Sequence, residues 1–173
     1  MTEAGAPKPT RMTRDQFIAA FGDVYEHSPW AADGAFELGL TDAADTAAGL
    51  ATLMSAVVDA VDRDTQLGLL RAHPDLAGKL ALAGELSADS TREQASAGLD
   101  ACTPQELERF ETLNPRYTDK FGFPFIIAVR GLDRQAILSE FERRVENTYA
   151  EEFQEALRQV HRIAALRLSE RLP

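Results

Sequence analysis

The chain predicts an all-α fold, read as a single compact multi-helix domain, on three observations. Helix start signals recur along its length, and the apolar residues behind them follow i, i+3, i+4, i+7 spacing. Only one stretch, residues 122–131, breaks that period, and no second strand-like run is available to pair with it.

The elements follow in order. Thr13-Arg-Asp-Gln16 has the form of a capping box, with Phe17, Ala20, Phe21 and Val24 on one face behind it. Ser28-Pro29 reads as an N-cap followed by proline at the first helical position, launching a short helix through Trp30 and Phe36. Leu50, Leu53, Met54, Val57 and Val61 form the cleanest apolar stripe, and a further helix near Asp64 to Ala72 carries Leu67 and Leu70. Thr103-Pro-Gln-Glu106 is a second capping box, ahead of Leu107, Phe110 and Leu113. Pro115 is expected to kink or end that helix, because it lacks an N–H and clashes with the preceding turn. A helix from about Asp133 carries Ile137, Leu138, Phe141 and Val145, and the last begins at Thr148-Tyr-Ala-Glu151 and presents Phe153, Leu157, Val160 and Ala164. The exception, Gly122 to Gly131, is apolar, bounded by glycines and contains Pro124, which suits a lone strand or an extended segment.

At 173 residues, 45% hydrophobic and 27% charged, the chain has the length and composition to bury a core. A formal charge of −10 argues against a nucleic-acid partner, since phosphate binding needs clustered Lys and Arg. It leaves room for a small anionic substrate held by a local positive group. Cys102 is the one cysteine, so an internal disulfide is impossible and a reducing cytoplasm is expected. Residues 1–11 read as a disordered tail and 12–173 as the folded domain. No apolar run reaches the roughly 18 residues of a membrane helix, and the C-terminal residues are not a peroxisomal address.

Three residues and one segment are candidates for chemistry. His73 precedes Pro74, which pushes it out of the helical region, so it sits at a helix end whose carbonyls favour a protonated imidazole. It reads either as a general acid or as a capping residue. Glu93 lies in Ser90-Thr-Arg-Glu-Gln94, which has the form of a capping box but also of a helix N-terminus able to hold an anion. Arg167 falls on the apolar face of the last helix, +7 from Val160 and +4 from Ile163. A guanidinium there is a snorkelling arginine near a helix end, a structural ion pair or a bidentate carboxylate clamp. The 122–131 segment is a core strand or a pocket wall whose free backbone groups suit a flat, amide-edged ligand. His27, His73 and His161 have no metal-ligand spacing, and there is no glycine-rich phosphate loop.

Ala72-His-Pro-Asp-Leu-Ala-Gly78, Ser90-Thr-Arg-Glu-Gln94 with Ala97-Gly-Leu99, and Lys120-Phe-Gly-Phe-Pro-Phe-Ile-Ile127 together resemble the decarboxylases of 2-oxo-4-hydroxy-4-carboxy-5-ureidoimidazoline (OHCU). Ser28-Pro-Trp30, Leu113 to Tyr117 and Ala164 to Leu168 extend the resemblance, which covers roughly Thr13 to Leu168. It implies an all-α homodimer that takes no metal or organic cofactor and converts an anionic ureido-imidazoline to (S)-allantoin in urate degradation. On this resemblance His73 and Glu93 are the catalytic pair. Pro74, Ser90, Gln94 and the backbone of Phe125, Ile126, Ile127, Ala128 and Val129 contact substrate, with Arg167 as a clamp. Two other readings keep the fold: a non-catalytic ligand-binding or interaction module, and a decarboxylase of a related ureido acid.

Overall fold

The computed structural model describes residues 6–173, the side chains of Lys79 and Leu80 excepted, and among these residues the secondary structure is helical throughout, with no strand. The α-helices are α1 (Arg14–Phe21), α2 (Trp30–Leu38), α3 (Ala47–Ala60), α4 (Arg63–Arg71), α5 (Lys79–Leu82), α6 (Ala88–Ser96), α7 (Pro104–Phe121), α8 (Arg134–Arg144) and α9 (Tyr149–Ser169). The residues from 122 to 133, where the helical period breaks, connect α7 to α8 without regular secondary structure and include a turn at Arg130 and Gly131. The chain divides into two units: one holds the residues up to Ala72 together with His161–Pro173, the other His73–Val160.

In the first unit, the capping box at Thr13 and Gln16 starts α1, and Phe17 packs its ring 5.2 Å from Phe21 and 5.6 Å from Phe36 of α2. Gly34 lets α2 lie close against α3, since a Cβ at that position would come within 2.7 Å of Val57 Cγ1. Ser28 does not cap α2 as expected. Its hydroxyl donates instead to the Glu26 carbonyl, and the helix starts one residue later, behind Pro29. In the stretch read as a disordered tail, residues 1–5 lie outside the described residues, but Pro9–Arg11 form a 3-10 turn. Thr10 ties that turn to Asp45 through both its N–H (2.9 Å) and its hydroxyl (2.8 Å), two local bonds that offset the cost of ordering it.

Tyr117 of α7 lies at the heart of the second unit's core, edge-on to Phe125 (5.5 Å) and Phe141 (5.8 Å), while Phe125 and Phe141 stack at 4.0 Å. Pro115 sits inside α7 without ending it, contrary to expectation. Pro115 and Glu111 both lie on the exposed side, so the carbonyl deprived of its partner faces water rather than the core. Gly122 ends the helix in the left-handed region, with φ of +77°.

Glu106 serves two elements at once. It closes the capping box with the Thr103 N–H (3.1 Å), and it accepts from Arg134 Nε of α8 (2.7 Å), whose Nη1 donates to the Gly98 carbonyl (3.0 Å). The Arg134 hydrogen bond, followed by the Thr103 N–H, holds the Glu106 carboxyl below its ordinary value of 4.5. A depressed folded-state value contributes stability above the unfolded value, and that contribution is lost as pH falls through the folded one. Glu106→Gln should therefore destabilise the protein at pH 7, with the gap to the parent chain closing below about pH 4.3. Urea unfolding at several pH values measures this; a gap that stays constant into acid would contradict it.

Candidate active site

The candidate residues of the second unit lie on three pieces of chain: the loop 73–78, the helix α6 and the segment 124–129. None of the loop's conformation is supplied by helical hydrogen bonding, so its buried backbone groups need partners elsewhere. Gln94 of α6 provides two. Its Oε1 accepts from the Ala77 N–H at 3.0 Å, and its Nε2 reaches the Asp75 carbonyl at 3.4 Å. Asn114 of α7 provides a third, donating from Nδ2 to the Leu76 carbonyl at 3.0 Å. The clamp holds Ala77 at φ of +48°, in the left-handed region that an L residue with a Cβ enters only at a cost.

His73, the second residue past the end of α4, opens this loop and is buried, with Pro74 half-buried after it. Burial also pushes the carboxyl of Asp75 up from its ordinary value. The structure corrects one expectation about α6. Ser87, not Ser90, is the N-cap, accepting from the Ser90 N–H at 3.2 Å. Ser90 and Glu93 thus stand inside the helix and form no capping box. Ser90 and Gln94, four residues apart, share the buried face, and Glu93 flanks it half-buried. Since Gln94 grips the loop that His73 opens, the loop and this face of α6 are neighbours.

The 124–129 segment is buried along its length, and its backbone is held from α8 and α9. Arg144 Nη1 donates to the Ile126 carbonyl at 2.7 Å, and Gln159 Oε1 accepts from the Ala128 N–H at 2.9 Å. Arg144 also stands 4.5 Å over the Phe125 ring and is paired with Glu152 at 2.8 Å, both charges being at most 1% exposed. Tyr117 Oη and Asn147 Nδ2 donate to the same carboxylate. Desolvation, together with that carboxylate, raises the Tyr117 phenol well above its ordinary value, which keeps it a neutral donor.

Arg167 lies in the first unit, buried, with Nη1 2.8 Å from Glu26 Oε2. An ion pair, one of the readings for an arginine on that apolar face, is present. The same stripe reasoning, applied to α8, finds Arg144 beside Ile137 and Phe141, and applied to α9 finds Glu152 four residues before Ala156. The apolar stripes of α8 and α9 thus mark both supporting charges, without naming the carbonyl that Arg144 holds.

The chain matches the OHCU decarboxylase family model over residues 10–169. It belongs to that family. A 2-oxo-4-hydroxy-4-carboxy-5-ureidoimidazoline decarboxylase of Haloferax volcanii is 42% identical over 171 residues, an alignment covering 99% of this chain and 98% of the relative. The solved structure of an (S)-allantoin synthase superposes with a TM-score of 0.76 at 34% identity, over 95% of this chain and 52% of that one. A solved OHCU decarboxylase, crystallised in the presence of (S)-allantoin, shares the fold with a TM-score of 0.67 at 19% identity, over 92% of this chain and 97% of that one. The all-α architecture expected from the helical period is thus the family's own.

The strain at Ala77 yields a test of the loop clamp. The left-handed conformation costs an L residue about 1–2 kcal/mol. Glycine avoids that cost but adds about 0.4–1 kcal/mol of unfolded-state entropy. Ala77→Gly should therefore raise stability by about 0.5–1 kcal/mol in urea unfolding. A loss of stability would mean that the Ala77 methyl contributes more than the strain costs.

Proposed function

We propose that the protein is a carboxy-lyase that converts OHCU to (S)-allantoin in urate degradation, with His73 as general acid and Glu93 holding the substrate hydroxyl. Family membership over nearly the whole chain supports the reaction. The observation that carries the residue assignment is the double grip of Gln94 on Asp75 and Ala77, which sets the His73 loop against the helix face bearing Ser90 and Glu93.

The substrate's own chemistry explains the modest demands on the protein. When the C–CO2⁻ bond breaks, its electron pair passes into the adjoining ring C=N, so the substrate carries its own electron sink. The hydroxyl carbon becomes a carbonyl, and the hydroxyl proton passes by way of Glu93 to the ring nitrogen that received the electron pair, which restores the Glu93 carboxylate. His73 then delivers a proton to the carbon bearing the ureido group, from the one face the loop presents, which sets the product's handedness. Pro74 and Ser90 border the site, and the backbone of 125–129 meets the amide edges of the ring and ureido group. A buried imidazole near a buried helix face suits such a transfer, because excluding water preserves facial control. The same resemblance extends the proposal to a cytoplasmic homodimer. No helix among the described residues is long and apolar enough to cross a membrane.

His73→Ala should lower turnover of OHCU by about 10²–10⁴-fold, the usual contribution of a positioned acid, while far-UV circular dichroism stays unchanged. Glu93→Gln should also lower turnover while leaving the fold intact. A folded His73→Ala protein with undiminished turnover would remove His73 from the mechanism.

A further inference from the structure

Residues 124–129 carry no regular secondary structure, so their buried backbone groups depend on side chains for hydrogen bonds. The protein grips one backbone group on each side of Ile127. Arg144 takes the Ile126 carbonyl and Gln159 takes the Ala128 N–H. The Ile127 N–H and C=O have no hydrogen-bond partner among the described residues, although Ile127 is only 7% exposed. A buried donor and acceptor on one residue form an amide-shaped edge, complementary to a cyclic ureide or a urea group.

We propose that Arg144, with its partner Glu152, and Gln159 are positioning residues that aim the Ile127 peptide edge at the amide edge of the substrate. The inference rests on the decarboxylase reading and deepens it, since it selects one residue of the 125–129 segment and names what holds it. Arg144 is fixed by two charge-assisted bonds from Nε and Nη2 to Glu152, and Gln159 by its Nε2 bond to Glu155 at 2.7 Å. A fully buried ion pair is a poor way to gain stability, since apolar side chains of similar volume do as well or better. Arg144 supplies what an apolar residue cannot: a donor at a fixed point for a carbonyl that has no ladder partner. Its planar fork meets Glu152 and Ile126 together, which a lysine ammonium would not reproduce.

The experiment is steady-state kinetics on OHCU generated in place from urate, comparing the parent protein with Gln159→Leu and Arg144→Lys, beside thermal melts of each. Gln159 is half-buried and not part of the aromatic cluster of Tyr117, Phe125 and Phe141, so its replacement leaves that core intact. In Gln159→Leu, KM should rise about tenfold, the size of one misaligned hydrogen bond to ligand, with kcat nearly unchanged and the product still optically active. Arg144→Lys should move KM in the same direction and further. If Arg144→Lys does not fold, Gln159→Leu decides alone. A purely structural role lowers the melting temperature and leaves KM in place, and that result in Gln159→Leu overturns the proposal. A parent protein that leaves OHCU to its spontaneous rate overturns the decarboxylase reading and this inference with it. Parent activity with an unmoved KM in Gln159→Leu overturns this inference alone.

Discussion

Buried backbone that is not helical must find its hydrogen-bond partners among side chains, and the second unit is organised around meeting that need twice. An all-helical architecture satisfies its own N–H and C=O groups internally wherever the chain is helical. It has no ladder to offer where the chain leaves the helix. The loop 73–78 and the segment 124–129 are such departures, and both are buried over much of their length. Gln94 and Asn114 serve the first, Arg144 and Gln159 the second. An unmade bond at any of these points would cost about 1–3 kcal/mol, a large part of a domain's net stability. That asymmetry accounts for amides and a guanidinium at positions where helix packing alone would favour leucine.

The two supports differ in kind. The amides of Gln94 and Asn114 are neutral and short, and they hold a loop that carries local strain at Ala77. The second support is ionic. Arg144 and Glu152 lie at the bottom of the aromatic cluster of Tyr117, Phe125 and Phe141, where a lone charge would be prohibitive. Their mutual charge, the Tyr117 phenol, the Asn147 amide and the Ile126 carbonyl together satisfy both groups. A network of this type specifies one arrangement of the chain rather than adding much to its stability. The Asn114 Oδ1 atom is the buried side-chain polar atom left with no hydrogen-bond partner among the described residues.

The helices were legible in the sequence because their signals are local. The Thr13–Gln16 and Thr103–Glu106 boxes and the Thr148–Glu151 start each involve residues three apart and each forms as read, and the helix expected from about Asp133 begins behind it. Ser90–Glu93 has the same pattern and does not form a box, because Ser87 competes for the same role one turn earlier. Choosing between two eligible caps depends on where the helix face must point, which is a tertiary matter. Pro115 departs from its expected effect for a related reason: its local penalty is real, but water on an exposed face absorbs it. The candidate site was legible only in part. His73, Ser90 and Gln94 could be proposed from sequence, yet Gln94's grip on Ala77 and Gln159's on Ala128 span 17 and 31 residues, and no local pattern reports them. Arg167 is the instructive intermediate. Its place on an apolar face announced a partner, while the identity of that partner, Glu26, lies 141 positions away.

These supports leave a buried histidine on a fixed loop, a carboxylate on a helix face and an edge of unengaged backbone. The chemistry assigned to them is the loss of CO2 followed by protonation from a single side. Rate alone would not isolate that claim, because molecules of this type also decay in water. Handedness does. The decisive measurement is the circular dichroism of the product as OHCU, generated in place from urate, is exposed to the protein. Rapid appearance of optically active (S)-allantoin is the predicted result. Racemic product at the spontaneous rate would contradict the account and leave the fold as a scaffold for some other ligand.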